Sequence, residues 1–186
     1  MPIVEVHILE GYTSEDKSRL TAALTDAVRF VVPAADEAIT VMLNEYPGDA
    51  YARGGQQRQP APARPDPGAL VVTYLKAMED RDLDAASTML HPDFQMIFPD
   101  TQPMTTLTEL IDWAKGRYRY VRKTNDAVEA LQTGGTTVVY VRGALAGEWP
   151  DGRPFQDIRF VDRFEVRDGM IVRQDVWNDI AEVRGS

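Results

Sequence analysis

The chain has 186 residues, of which 44% are hydrophobic and 26% charged, proportions that are typical of globular rather than disordered proteins. Its formal net charge of −9 is the wrong sign for phosphate backbones or anionic membranes, so we expect no nucleic-acid and no membrane partner. It has no cysteine, no apolar stretch long enough to span a bilayer, and no basic and apolar leader at its N-terminus. The default expectation is a cytoplasmic protein.

The first 55 residues predict a strand, a helix and a second strand. Apolar side chains alternate along Ile3 to Leu9, which predicts a strand. Thr13 precedes an acidic first helical turn, and Pro33 ends the predicted helix. A second apolar run covers Ile39 to Leu43. A strand, a long helix and another strand imply a crossover connection and parallel pairing. Because a two-stranded sheet of this size cannot bury a sufficient core, we expect a homo-oligomer.

Residues 56–67 differ in composition from both flanks. They contain four of the twelve prolines and no large apolar residue, which favours an extended, semi-rigid spacer. We therefore predict a domain at residues 1–55, a linker at residues 56–67 and a second domain at residues 68–186.

The second domain predicts helices followed by an antiparallel meander. A helical stripe of apolar residues covers residues 70–78, a shorter helix residues 83–90, and a strand residues 94–98. Thr106 and Glu109 form a capping-box pattern ahead of a further helix. Four strand-like runs follow, separated by turn sequences, at residues 123–132, 136–146, 155–166 and 171–178. This order predicts a cone-shaped α+β fold, in which a curved antiparallel sheet carries helices on its concave face.

The stretch from Pro2 to Gly11, with the later Glu45, Tyr51 and Gly54-Gly55, resembles the 4-oxalocrotonate tautomerase family without gaps. The resemblance implies that the amine of Pro2, once Met1 is removed, is the catalytic base of keto–enol conversions. A free terminal amine titrates near pH 8, at about the value that proton transfer requires.

The same resemblance implies where substrate would bind. Tyr12 and Thr40 stand where founding members of the family have two arginines that grip an anionic substrate. Neither side chain binds a carboxylate bidentately, so a dicarboxylate substrate is not expected. Tyr51 holds the family's aromatic position, and Arg53 is the nearest replacement for the missing cations.

Residues 68–186 resemble the nuclear-transport-factor-2-like superfamily, which includes SnoaL-like polyketide cyclases and ketosteroid isomerases. The resemblance is carried by VVTYLKAMEDRDLDAASTMLHPDF and by FVDRFEVRDGMI. Compared with the ketosteroid isomerases, Tyr74 and Asp162 hold the positions of the pair that stabilises an oxyanion. The general-base position is Phe98, which cannot accept a proton. Asp100 can replace it only if its loop turns inward.

Asp162 also stands out by alternation. It shares one face of its strand with Ile158, Phe160, Phe164 and Val166, and burial in an apolar row would favour the protonated acid. The alternative is an aspartate that is bonded to a turn amide or paired with an arginine.

Three aromatic residues, Trp113, Tyr118 and Trp177, can line a pocket or simply pack. His7 and His91 lack acidic partners at ligand spacing, so no metal is expected. No cofactor-binding motif is present in the sequence.

The leading hypothesis is an isomerase, a proline-dependent tautomerase that acts on a small carbonyl or enol compound without a cofactor. The alternative is a polyketide-cyclase-like or ligand-binding cone domain whose chemistry lies around Asp162, with the first domain serving only oligomerisation. A third possibility is a non-catalytic binding protein. A trimer or hexamer is the expected assembly.

Overall fold

The structure, a computed structural model, describes residues 1–184. The chain divides into two compact units, Met1–Ala63 and Arg64–Ser186. Among the described residues, no helix is long and apolar enough to cross a membrane.

The first unit is a parallel strand pair with a crossover helix. Strand β1 (Ile3–Leu9) pairs in parallel with β2 (Thr40–Tyr46), and helix α1 (Ser14–Arg29) connects them, as the sequence predicts. The side chain of Thr13 accepts a hydrogen bond from the Asp16 amide, and the Asp16 side chain accepts one from the Thr13 amide, so the helix start is capped reciprocally. A small hairpin of β3 (Ala52–Arg53) and β4 (Gln56–Gln57) ends the unit.

None of the residues in Met1–Ala63, all of which the structure describes, is buried. Two apolar side chains lie on the same face of the strand pair and are open to solvent, Ile3 at 61% and Met42 at 41%. A single helix and two strands bury too little apolar surface to form a core. This unit therefore lacks the hydrophobic stabilisation on which independent domains depend.

The second unit is an α+β cone, as predicted, with helices packed on a curved five-stranded sheet. The strand order is β5-β9-β8-β7-β6, with β6 to β9 forming an antiparallel meander and β5 running parallel to β9. Its helices are α2 (Pro67–Asp80), α3 (Leu83–Thr88), α4 (Leu107–Ala114) and α5 (Ile180–Arg184), and its strands are β5 (Leu90–Ile97), β6 (Tyr120–Thr133), β7 (Thr136–Glu148), β8 (Pro154–Arg167) and β9 (Met170–Asn178).

The core of this unit lies between the helices and the concave face of the sheet. Its largest fully buried side chains are Tyr74, Phe164, Met96, Ile158, Ile171, Val71, Val139, Val141 and Asp162. The inward row of β8 is the one expected from alternation, because Ile158, Phe160, Asp162, Phe164 and Val166 are all buried. A carboxylate is thus placed among apolar side chains.

Local differences from the sequence prediction lie at element ends. Gln56 and Gln57, which the composition assigns to the linker, form the second strand of the hairpin. Pro67 opens α2 because the Asp66 side chain accepts a hydrogen bond from the Ala69 amide and proline suits the first helical position. The helix predicted to reach residue 90 ends at Thr88, since Leu90 begins β5.

Two glycines in β7 allow close approach of the neighbouring strand. A Cβ on Gly143 would lie 2.0 Å from the Thr124 carbonyl oxygen, and one on Gly147 would lie 2.2 Å from that of Tyr120. The register of β7 shifts close to both positions, between Asn125 and Ala127 of β6 and between Leu145 and Gly147 of β7. Such irregularities bend a sheet, so these glycines permit the curvature that encloses the cone's interior.

Replacing Gly143 by alanine should destabilise the cone unit by at least about 2 kcal/mol, because the backbone of β6 cannot move away cheaply. Gly135→Ala is the matched control, since no atom lies within 4 Å of its added carbon. Its effect should stay below about 0.5 kcal/mol. All three tryptophans belong to the second unit, so their fluorescence during denaturant unfolding measures this unit alone. Equal stability of the two variants would contradict this role of Gly143.

Candidate functional site

Pro2 lies at the start of the parallel strand pair. It is partly buried, and its carbonyl oxygen accepts a hydrogen bond from the Thr40 amide at 3.1 Å. The exposed side chain of Thr40 begins β2 beside it. The sheet therefore holds the backbone of Pro2 in place, and two of the predicted site residues are neighbours.

Three other predicted residues lie at the opposite end of the pair. Tyr12, Tyr51 and Arg53 line an open cleft of about 730 Å³, and neither Pro2 nor Thr40 is among its lining residues. The strand between the two ends is seven residues long, which corresponds to roughly 20 Å. One chain therefore does not bring its Pro2 together with its own cleft.

The cleft is cationic and aromatic. Its lining includes Arg53 and Arg58 and no carboxylate, in a chain whose net charge is −9. The side chains of His7 and Tyr46 stack with ring centroids 5.6 Å apart, and His7 Nδ1 and the Tyr46 hydroxyl are hydrogen-bonded at 3.0 Å. A planar anion is the chemistry that such a surface attracts.

Sequence reasoning missed Arg58 because it falls in the segment assigned to the linker. Its amide donates a hydrogen bond to the Tyr51 carbonyl oxygen at 3.2 Å, beyond the β3–β4 hairpin. The hairpin turn Gly54-Gly55, with positive φ at both residues, thereby returns the chain to the cleft. The Gly-Gly pair was the signal that could have indicated a return.

The second candidate site is a buried polar network in the cone. Asp162 is 0% exposed, and its Oδ2 forms an ion pair with Lys123 Nζ and accepts a hydrogen bond from Gln174 Nε2 at 3.2 Å. The Tyr74 hydroxyl donates to Gln174 Oε1 at 3.2 Å. The predicted pair Tyr74 and Asp162 is thus linked through an amide rather than directly.

The structure pairs Asp162 with a lysine, Lys123, rather than with the arginine or turn amide that the sequence suggested. Lys123 reaches it from β6, and its ammonium also lies 4.4 Å from the centre of the Phe160 ring. Oδ1 of Asp162, by contrast, is buried and has no hydrogen-bond partner among the described residues.

Two small cavities of about 120 and 50 Å³ border this network. Tyr74 and Gln174 line the larger, Asp162 and Trp113 line the smaller, and both cavities share lining residues. The shared residues are Phe98, Tyr118, Val121 and Lys123. The cavities are smaller than the cleft of the first unit, but they border a buried core, whereas much of the cleft's lining is exposed.

Two predicted residues lie away from the cone's interior. Asp100 is exposed with a φ of 60° in the turn after β5, so its loop does not place it as a substitute base beside Phe98. Trp177 is 55% exposed because it pairs with Val161 on the outer face of the sheet, opposite to Asp162. Neither residue lines the two cavities.

Lys123 and Gln174 were missed because long polar side chains in strands are usually solvent-exposed. The available signal was alternation, since Lys123 follows Val121 on the inward face of β6 and Gln174 precedes Val176 on that of β9. Among residues 1–184, no group of three or more acidic or histidine side chains that could hold a metal ion is present.

Two family profiles match the chain. One, described as "Tautomerase enzyme", matches residues 2–58, and the other, described as "SnoaL-like domain", matches residues 71–174. The chain is also similar to a 2-hydroxymuconate tautomerase of Bacillus subtilis (strain 168), with 40% identity over 57 residues that cover 31% of this chain and 92% of that protein.

Solved structures show the same fold. An NTF2-like protein of unknown function from Burkholderia pseudomallei has a TM-score of 0.51 and 22% identity, covering 62% of this chain and 92% of its own. TerC, crystallised with polyporic acid, has a TM-score of 0.53 and 17% identity, covering 64% of this chain and 97% of its own.

Burial and, secondarily, the charge of Asp162 raise the pKa of Tyr74 well above its usual value. The unfolded chain therefore loses this proton at about pH 10 while the folded chain keeps it, so stability is full below that pH and falls above it. Tyr74→Phe should remove up to about 1.4 kcal/mol per pH unit from this decline. Tryptophan-monitored denaturant unfolding between about pH 8 and pH 11 measures the slope. An unchanged slope would contradict the buried, protonated state of Tyr74.

Proposed function

Because the chain belongs to the tautomerase family over residues 2–58 and to the SnoaL-like family over residues 71–174, we propose that this isomerase-type enzyme interconverts keto and enol forms of a small carbonyl compound through Pro2. The observation that carries the proposal is the position of Pro2, which begins β1 and is fixed to β2 by the Thr40 amide. Removal of Met1 would leave a secondary amine at a rigid end of the sheet.

The reaction needs only a proton shuttle. The neutral amine of Pro2 accepts the enol O–H proton, and the resulting ammonium returns a proton to the neighbouring carbon as the carbonyl forms. No proton is gained or lost overall, and the reverse reaction uses the same steps. A terminal amine that titrates near pH 8 is populated in both forms at working pH, which is the requirement for general acid–base catalysis.

The proposed substrate is a monocarboxylate of the arylpyruvate type. Tyr12 and Thr40 leave the family's two arginine positions without charge, whereas Arg53 and Arg58 supply cations in the cleft. A guanidinium can bind the carboxylate, and the aromatic lining can stack against the ring.

The proposed site is formed between chains. Pro2 and the cleft lie roughly 20 Å apart within one chain, so a Pro2 that acts on a substrate in a cleft must come from a neighbouring copy. Proteins of the tautomerase family are typically oligomeric. The lack of buried residues in Met1–Ala63 supports the same conclusion, since association would cover the exposed face around Ile3 and Met42.

Pro2→Ala should reduce the ketonisation rate of an arylpyruvate enol at least about tenfold, because alanine leaves a differently placed primary amine as the base. The decay of enol absorbance measures the rate. Pro33→Ala, at an exposed proline beyond α1, is the matched control and should be fully active. Intact mass of the active protein should show that Met1 is absent. Full retention of Met1, or full activity of Pro2→Ala, would instead favour a first unit that serves oligomerisation alone.

Light scattering of the whole chain across a dilution series should show a trimer or a hexamer, that is, an assembly larger than a dimer. Met42→Lys places a charge on the exposed face of the strand pair and should dissociate the assembly, because burying an unpaired ammonium is unfavourable. Val72→Lys, at a comparably exposed position of α2 in the cone unit, should leave the assembly of the first unit intact. A stable monomer at micromolar concentration would refute the site between chains.

A further inference from the structure

The buried network of the cone contains one polar atom that its neighbours leave unused. Lys123 and Gln174 both contact Oδ2 of Asp162, and Oδ1 receives no hydrogen bond from any described residue. Buried carboxylate oxygens are normally satisfied, because removing them from water without a donor is unfavourable. Asp162 also lines the smaller cavity. Asp162 therefore carries an acceptor oxygen without a donor, on a residue that lines this cavity.

The chemistry of the surroundings restricts that molecule. An ionised carboxylate only accepts hydrogen bonds, so the ligand must bring a donor. A second anion would be repelled by Asp162 and a cation by Lys123, which favours a neutral group. The Lys123 ammonium has further N–H donors for the same ligand atom. A hydroxyl group matches both residues, because its O–H can donate to Asp162 and its oxygen can accept from Lys123.

The shape of the cavity restricts the rest of the ligand. Four aromatic side chains line the smaller cavity, and two of them, Phe98 and Trp113, pack edge to face with ring centroids 5.2 Å apart. The four are Phe98, Trp113, Tyr118 and Phe160. Flat aromatic walls favour a flat ligand, and the two adjoining cavities of about 50 and 120 Å³ together suit one ring rather than a polycyclic skeleton.

We propose that the cone of this protein binds a single-ring phenol or a planar enol whose O–H donates to Oδ1 of Asp162, while Lys123 keeps its ion pair with Oδ2. In this site Asp162 is an acceptor. That role is the reverse of the one that the sequence resemblance to ketosteroid isomerases implies for its position. The site does not involve Pro2, so it stands or falls independently of the proposed tautomerase activity.

The first test compares two probes in the unaltered chain by ¹⁹F NMR titration. 4-Fluorophenol carries the O–H donor, and 4-fluoroanisole has the same ring with a methyl group in place of the proton. The phenol should bind at least about tenfold more tightly, a difference of 1.4 kcal/mol. The indole N–H signal of Trp113 should move on binding, while that of Trp177, on the outer face, should not. Equal affinities, no saturable binding, or movement of Trp177 alone would overturn the proposal.

Asp162→Asn provides the second test. The amide oxygen would keep the contacts from Lys123 and Gln174, so the amide nitrogen, a donor, would replace Oδ1. The preference for the phenol should then disappear or reverse in favour of the ether, which only accepts. Asp100→Asn is the matched control, because Asp100 is exposed and outside both cavities. A retained preference in Asp162→Asn overturns the proposal, and if this variant does not fold, the two-probe comparison decides.

Discussion

The separation between the two ends of the β1–β2 pair is the constraint on which the proposed chemistry depends. Parallel pairing places Pro2 beside Thr40 at one end and the arginine-lined cleft at the other. Seven strand residues keep these ends roughly 20 Å apart, and no side-chain rotation bridges that distance. A proton transferred by Pro2 to a molecule held by Arg53 or Arg58 therefore requires two copies of the unit, the same association that its unburied apolar residues favour.

The two units are stabilised in different ways. The cone has its own apolar core between helices and sheet, so it can place a charged pair inside and retain its fold. A buried ion pair is weak evidence for stability, since desolvation offsets much of its attraction. The proposed binding role of Asp162 therefore rests on its unpaired Oδ1 and not on a contribution of the ion pair to stability. The first unit has no such core, and its candidate site is correspondingly open.

The sequence predicted the elements well where local chemistry decides structure. Alternation correctly predicted the extent of β1 and the inward-facing residues of β8. Capping residues correctly predicted that helices begin after Thr13 and Thr106. It did not predict which polar side chains meet. Lys123 and Asp162 are 39 residues apart in the sequence, and they lie on β6 and β8, which are separated in the sheet by β7. Arg58 was overlooked because composition near the prolines suggested a spacer, although backbone pairing continues through Gln57.

A subunit-mixing experiment tests the central claim most directly. Pro2→Ala and the double variant Arg53→Ala/Arg58→Ala should each be nearly inactive alone. Refolding them together should restore activity, because under random mixing roughly a quarter of the interfaces would join an intact Pro2 to an intact cleft from another chain. A mixture no more active than the average of its two components would contradict a site formed between chains.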